Sequence, residues 1–168
     1  DAEDHDFDPW YERLARLWDE ENALALRASQ PYRAFATRAV DARAAFQSLL
    51  FEIAGRGDRI HLLGSGEQSG AVLAWAGDAA GAVTAVVAEG GAGEHATAFG
   101  LPVISETDSR AAEPDFLVTP AALKREMMER WRESILLGAR MIVATPEPLV
   151  IHTHNYAAEL AKALAGGD

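Results

Sequence analysis

The sequence predicts an α/β fold: a mostly parallel sheet of five or six strands, helices on both faces, and a helical arm in front. Three observations predict it. From Arg59 onward, short apolar runs recur between helical stretches, the pattern of strands alternating with helices. The runs are apolar at nearly every position, as strands are when helices cover both faces of a sheet. Between the first such strand and its helix stands Gly64-Ser65-Gly66-Glu67-Gln68-Ser69-Gly70, a glycine loop in the place where Rossmann-like folds turn from strand to helix.

An acidic lead from Asp1 to Asp8 precedes the elements. Trp10, Leu14, Leu17 and Trp18 then recur at spacings of three and four, one apolar stripe on a helix. A break at Ser29-Gln30-Pro31 separates it from a second helix over residues 32–54, with Phe35, Ala39, Ala42, Phe46, Leu49, Leu50 and Ile53 on one face, ended by Gly55 and Gly57. Strands are expected at residues 60–63, 83–87, 102–104, 115–118 and 141–143. Helices are expected at 68–75 and 121–137. Leu149-Val150-Ile151 extends the sheet, and a closing helix covers residues 156–164. The joint falls near Gly55 to Asp58, so residues 1–56 form a helical arm belonging to the same unit as a Rossmann-like domain over residues 57–168.

Composition bounds the function. At 168 residues with 49% hydrophobic content, the chain holds one core and has no room for a second full catalytic domain. It has no cysteine, which excludes disulfides and thiolate chemistry and points to the cytoplasm. A net charge of −11 repels phosphate backbones and anionic lipid, so neither nucleic acid nor a membrane is an expected partner. No apolar run is long enough to span a bilayer, and the acidic start is the opposite of a signal peptide. The chain opens without methionine, as a processed product or an excised part of something longer would.

The glycine loop is the first candidate site. Its three glycines permit, in order, a tight turn, close approach of a ligand to the backbone, and close packing of helix on strand. Amide groups at the helix start favour an anion. Yet the spacing is one residue longer than the dinucleotide fingerprint, and Glu67 puts negative charge where a pyrophosphate would sit. Gly64, Ser65, Gly66, Glu67, Gln68 and Ser69 are therefore candidate ligand contacts without a fixed ligand. Glu89, just beyond the second strand, stands where an acid could bind ribose hydroxyls; a solvated loop glutamate fits as well. Ser65 and Ser69 lack a local base, so they read as capping or ligand-binding hydroxyls and not as nucleophiles.

His152 and His154 alternate along an extended segment, which is ligand-like spacing. With His95 or Asp115 as a distant partner they could hold a metal, but the expectation is no metal and a place for both in the ligand pocket near the carboxyl edge of the sheet. Trp10, Trp18, Trp75 and Trp131 read as core or subunit packing. The run Lys124-Arg125-Glu126, Glu129-Arg130 and Arg132-Glu133 reads as a solvated helix face with mixed-sign pairs.

The order of motifs resembles the C-terminal domain of the sugar C-methyltransferases. The resemblance runs from Glu20 to Ile151. It begins at Glu20-Glu21 and Pro31-Tyr32-Arg33-Ala34-Phe35, and passes through the glycine loop. It is strongest at Pro114-Asp115-Phe116-Leu117-Val118, Leu123-Lys124-Arg125-Glu126 and Gly138-Ala139-Arg140-Met141-Ile142-Val143, followed by Pro146-Glu147. Departures fall on polar positions: Gly64 and Ser69 stand at the family's loop tyrosine and lysine, Ala88 with Glu89 at its acid after the second strand, and Ala121-Ala122 at its Trp-Asn pair. The resemblance thus carries the scaffold and leaves the ligand open.

The family consists of S-adenosylmethionine-dependent enzymes acting on nucleotide-linked deoxysugars. Methyl transfer lies in a separate upstream domain, preceded by a zinc-binding segment with clustered cysteines. The resemblance therefore implies a substrate-binding or accessory domain that is not catalytic by itself. It carries no cofactor of its own, with S-adenosylmethionine entering only through an upstream catalytic domain or subunit. A small polar ligand such as a nucleotide-linked sugar, and a homodimer through the arm, complete the expectation. Two alternatives stay open: a stand-alone enzyme binding a nicotinamide nucleotide or a phosphosugar, and an assembly module using the arm's apolar stripe.

Overall fold

A computed structural model describes residues 9–24, 28–64, 66–88 and 96–165. Ser65, Glu89 and His95, all named above, lie outside the described residues. The chain divides into two compact units, residues 1–40 and 41–168.

The first unit holds α1 (Pro9–Ala23) and the start of α2 (Ser29–Gly55). Pro31 sits in the first turn of α2, where its missing N–H costs nothing. The apolar stripe of α1 lies on the surface, with Trp10 61% and Trp18 55% exposed.

The second unit begins inside α2, because Phe46, Leu50 and Ile53 are buried in its core. The glycines at the end of that helix hand over to β1 (Ile60–Leu63), followed by α3 (Glu67–Ala76), β2 (Val83–Ala88), β3 (Thr97–Ala98), β4 (Leu101–Ser105) and α4 (Glu106–Ala111). Then come β5 (Phe116–Thr119), α5 (Lys124–Arg130), α6 (Arg132–Leu136), β6 (Arg140–Val143), β7 (Leu149–Ile151) and α7 (Tyr156–Ala165). Among the described residues the sheet has seven strands in the order β3-β4-β2-β1-β5-β6-β7. Strands β4, β2, β1, β5 and β6 run parallel; β3 and β7 are antiparallel edges. This is a Rossmann-like α/β fold, with the five-stranded parallel core that the apolar runs predict.

Both faces are covered. Ile60, Leu62, Phe116, Val118 and Ile142 pack with α2 and α3. Their strand neighbours Leu63, Leu117, Met141 and Val143 pack with Met127, Met128, Trp131, Ile135 and Tyr156 on the other face. Alternate residues of each strand thus enter different cores, which is why the strands read as unbroken apolar runs.

Three features depart from the expectation. The helix over residues 121–137 is a 3-10 turn at Ala121–Leu123 followed by α5 and α6, broken at Trp131, whose backbone sits at φ −100, ψ 16. The β3–β4 hairpin turns through Phe99 and Gly100, both at positive φ (55 and 78), the backbone that a two-residue hairpin loop requires. Helix α4, also unforeseen, starts at Ser105, whose Oγ accepts from the Asp108 amide at 3.0 Å. Among the described residues no helix is long and apolar enough to cross a membrane.

Candidate functional site

The strand order places a topological switch between β1 and β5: the chain leaves β1 toward β2 and β4, then crosses back to β5 on the other side. In open α/β sheets ligands bind at the carboxyl ends of strands where the order reverses. A cavity of about 290 Å³ opens there. Leu63 and Val87 at the ends of β1 and β2 form its floor, with Leu123, Met127 and Trp131 as apolar wall. Gly64 and Gly66 complete its lining together with the charged residues Glu106, Glu126 and Arg130.

Each glycine of the loop acts differently. Gly64 has φ +87, and an added Cβ would meet Ser69 Oγ at 3.1 Å, so the turn needs glycine. Its amide donates to the Val87 carbonyl at 2.8 Å, which ties the loop to β2. Gly66 caps α3 at φ −82 without a side-chain cap, and a Cβ there would meet open space. Gly70 does not serve helix–strand contact as the motif predicts. An added Cβ would lie 2.9 Å from the Phe99 ring, so this glycine admits the hairpin's aromatic side chain.

The other loop candidates diverge. Ser69 is buried, and its hydroxyl donates to the Leu63 carbonyl at 3.1 Å, a bond that closes the loop on its own strand. Glu67 and Gln68 are exposed on the first turn of α3.

His152 and His154 are not brought to this edge. Because β7 pairs antiparallel to β6, with Ile151 opposite Met141, the chain leaves β7 at the amino edge of the parallel strands. The expectation of a carboxyl-edge position rested on the segment following the fifth strand, and the antiparallel β7 between them reverses it. There the His154 amide donates to His152 Nδ1 at 3.3 Å, and Thr153 Oγ1 donates to the Ile135 carbonyl. Among the described residues no group of three His, Cys, Asp or Glu side chains is arranged to hold a metal.

The charged wall was not foreseen. Arg130 Nη2 donates to Glu126 Oε1 at 2.7 Å and Nη1 to Glu106 Oε1 at 3.1 Å, joining α5 to α4. Behind it, the Arg110 guanidinium lies 4.2 Å from the Trp131 ring centroid and donates to the Arg130 carbonyl at 2.8 Å. The Glu126–Arg130 spacing is the four-residue helix pair read from the sequence. What sequence periodicity missed is that this face borders a cavity. Two signals were available: the segment follows the fourth strand of the parallel core, and Ser105-Glu106-Thr107-Asp108 carries a helix-start pattern.

On the same face of the sheet, His61 of β1 is buried, with Nδ1 2.8 Å from Ser109 Oγ of α4. Burial, reinforced by the Arg59 charge, lowers its pKa from the ordinary 6.5.

Comparison with known proteins accords with this architecture. No individually curated protein matches the chain. The family model described as the C-methyltransferase C-terminal domain matches residues 2–146, which takes in the arm, the glycine loop, the charged wall and every strand of the parallel core. The chain belongs to the family of C-methyltransferase C-terminal domains.

Proposed function

We propose that this chain is the substrate-binding or accessory part of a C-methyltransferase-like protein, holding a small polar, sugar- or nucleotide-like ligand and not transferring methyl groups by itself. The observation that carries the reading is the cavity at the switch point, where Gly64 and Gly66 share a largely apolar lining with Glu106, Glu126 and Arg130. A few convergent polar groups on an apolar concavity are what small-molecule sites require. Arg130 holds both carboxylates in ion pairs, an arrangement suited to fixing acceptors for a ligand's hydroxyl groups. In this reading S-adenosylmethionine and the methyl transfer belong to a catalytic domain or subunit, and this chain presents the acceptor. The negative charge of the chain supports a setting without nucleic-acid or membrane partners, and the cytoplasm is the proposed location.

Calorimetric titration with nucleotide-linked sugars and with S-adenosylmethionine tests the reading, using the chain alone and joined by its native methyltransferase. Heat with a nucleotide-linked sugar supports it. Silence in both settings removes the ligand from the proposal.

The exposed stripe of Trp10, Leu14, Leu17 and Trp18 supports a second role for the arm, self-association through a paired helix. Removing residues 1–30 and measuring mass in solution decides it: an unchanged number of chains per particle excludes a dimer through the arm.

A further inference from the structure

The wall of the cavity stands on a helix that breaks. Leu123, Glu126, Met127, Arg130 and Trp131 line the cavity, and Trp131 is where α5 gives way to α6. The angle between the two helices therefore sets where Arg130 and Trp131 stand. A helix of seven residues followed by one of five has too few internal hydrogen bonds to hold that angle alone.

The chain after β7 supplies a hold. Thr153 Oγ1 donates to the Ile135 carbonyl of α6 at 3.1 Å, the Tyr156 hydroxyl donates to the Met128 carbonyl of α5 at 3.0 Å, and Glu159 Oε2 accepts from Lys124 Nζ of α5 at 2.8 Å. As the chain advances from 153 to 159 its partners step back from 135 to 124. The segment thus crosses the helix pair antiparallel, fastened on both sides of the break. Tyr156 and Glu159 are buried, and a buried hydroxyl or carboxylate is costly unless bonded; both are bonded to α5. Arg110 of α4 holds the break separately, through the Arg130 carbonyl, so losing one hold loosens the wall without unfolding it. None of Thr153, Tyr156 and Glu159 lines the cavity, and all three lie beyond residue 146, where the family match ends.

We infer that residues 153–159 are a strap that sets the wall of the cavity, with Tyr156 as its positioning residue: it touches no ligand, and through the break at Trp131 it governs how tightly one is held. The effect on affinity rests on the reading of the cavity as a ligand site; the hold on the break does not.

The test compares Tyr156→Phe, which keeps the ring and removes the hydroxyl, with Thr84→Val, which removes a similar hydroxyl bond to the Ile60 carbonyl at 2.9 Å, far from the break in sequence. In the full ¹⁵N-labelled chain, amide exchange is followed at Trp131 and Ile135, whose N–H groups donate to the Met127 and Trp131 carbonyls at 2.9 and 3.0 Å. Tyr156→Phe is expected to speed both at least about fivefold by easing local opening, and Thr84→Val less than about twofold. Uridine diphosphate glucose, titrated calorimetrically, is expected to bind Tyr156→Phe at least about fivefold more weakly than the natural chain, and Thr84→Val within about twofold. Glu159→Gln, which weakens the Lys124 fastening, is a second variant expected to act in the same direction, thermal unfolding confirming that each variant is folded.

Unchanged exchange at Trp131 and Ile135 in the folded Tyr156 and Glu159 variants overturns the strap. So does an equal rise in Thr84→Val, which would make those amides reporters of overall stability. Faster exchange with undiminished affinity overturns Tyr156 as a positioning residue. Faster exchange in Tyr156→Phe, beside a natural chain silent to uridine diphosphate glucose, upholds the strap and counts against the reading of the cavity.

Discussion

Arg130 donates to Glu126 at 2.7 Å along one helix while its other arm reaches Glu106 of a different helix at 3.1 Å. One guanidinium thus sets the spacing of two carboxylates across the cavity mouth. The three side chains are 31–51% exposed, so solvent screens the pairs and their contribution to stability is modest. Arg130→Gln is predicted to cost less than about 1 kcal/mol in urea unfolding. The same change should weaken ligand binding by about tenfold, because Glu126 loses this partner and Glu106 keeps only its longer pair with Arg110 at 3.9 Å. A loss of stability without a loss of affinity in calorimetry would make Arg130 a structural brace alone.

Gly70 and Phe99 are predicted to be energetically coupled. Alanine in a helix gains roughly 0.5–1 kcal/mol over glycine, but here its Cβ would press on the Phe99 ring. To admit it the far edge of that ring must shift. Gly70→Ala should stabilise the Phe99→Ala background by roughly 0.5–1 kcal/mol and give little or nothing in the natural chain. Equal effects in both backgrounds, measured in a double-mutant cycle, would mean the ring moves aside freely.

Most of the fold was legible in the sequence because strands buried on both faces announce themselves. Ile60–Leu63 is β1 without a shift, and the other strands of the parallel core differ by a residue at their ends. The hairpin strand β3 is two residues long, too short for any periodicity, and its turn uses phenylalanine where glycine or asparagine would have signalled it. Direction was not legible for β7, since three apolar residues read the same either way. That reversal removed His152 and His154 from the carboxyl edge. In the site, Gly64 and Gly66 were legible through backbone requirements, whereas Glu106 and Arg130 were not: their importance comes from a crossover that joins segments twenty-four residues apart.

His61 makes stability depend on pH with a definite sign. The folded chain holds its pKa below 6.5 through burial and the Arg59 charge. The unfolded chain therefore binds the proton first. Stability from this group is complete above about pH 6.5 and is lost as pH falls toward the folded value. Urea unfolding from about pH 7 to about pH 5 should show a decline that His61→Gln makes shallower. An identical slope in the variant would assign the decline to other groups.

The paired change His152→Ala with His154→Ala is predicted to leave ligand affinity unchanged within about twofold, because the antiparallel β7 carries both residues to the opposite edge of the sheet. A large loss in calorimetry would locate the ligand at that edge and away from the glycine loop.

The most direct measurement fills the cavity from its glycine side. Gly66 lines it, has an ordinary φ of −82, and would place a new Cβ in open space. Gly66→Leu should therefore fold normally, losing at most about 1 kcal/mol through the poorer helix cap. Titrated calorimetrically with a nucleotide-linked sugar that binds the natural chain, the variant is predicted to lose at least about tenfold in affinity. Undiminished binding by the folded variant would show that the ligand does not enter the cavity between the glycine loop and Arg130.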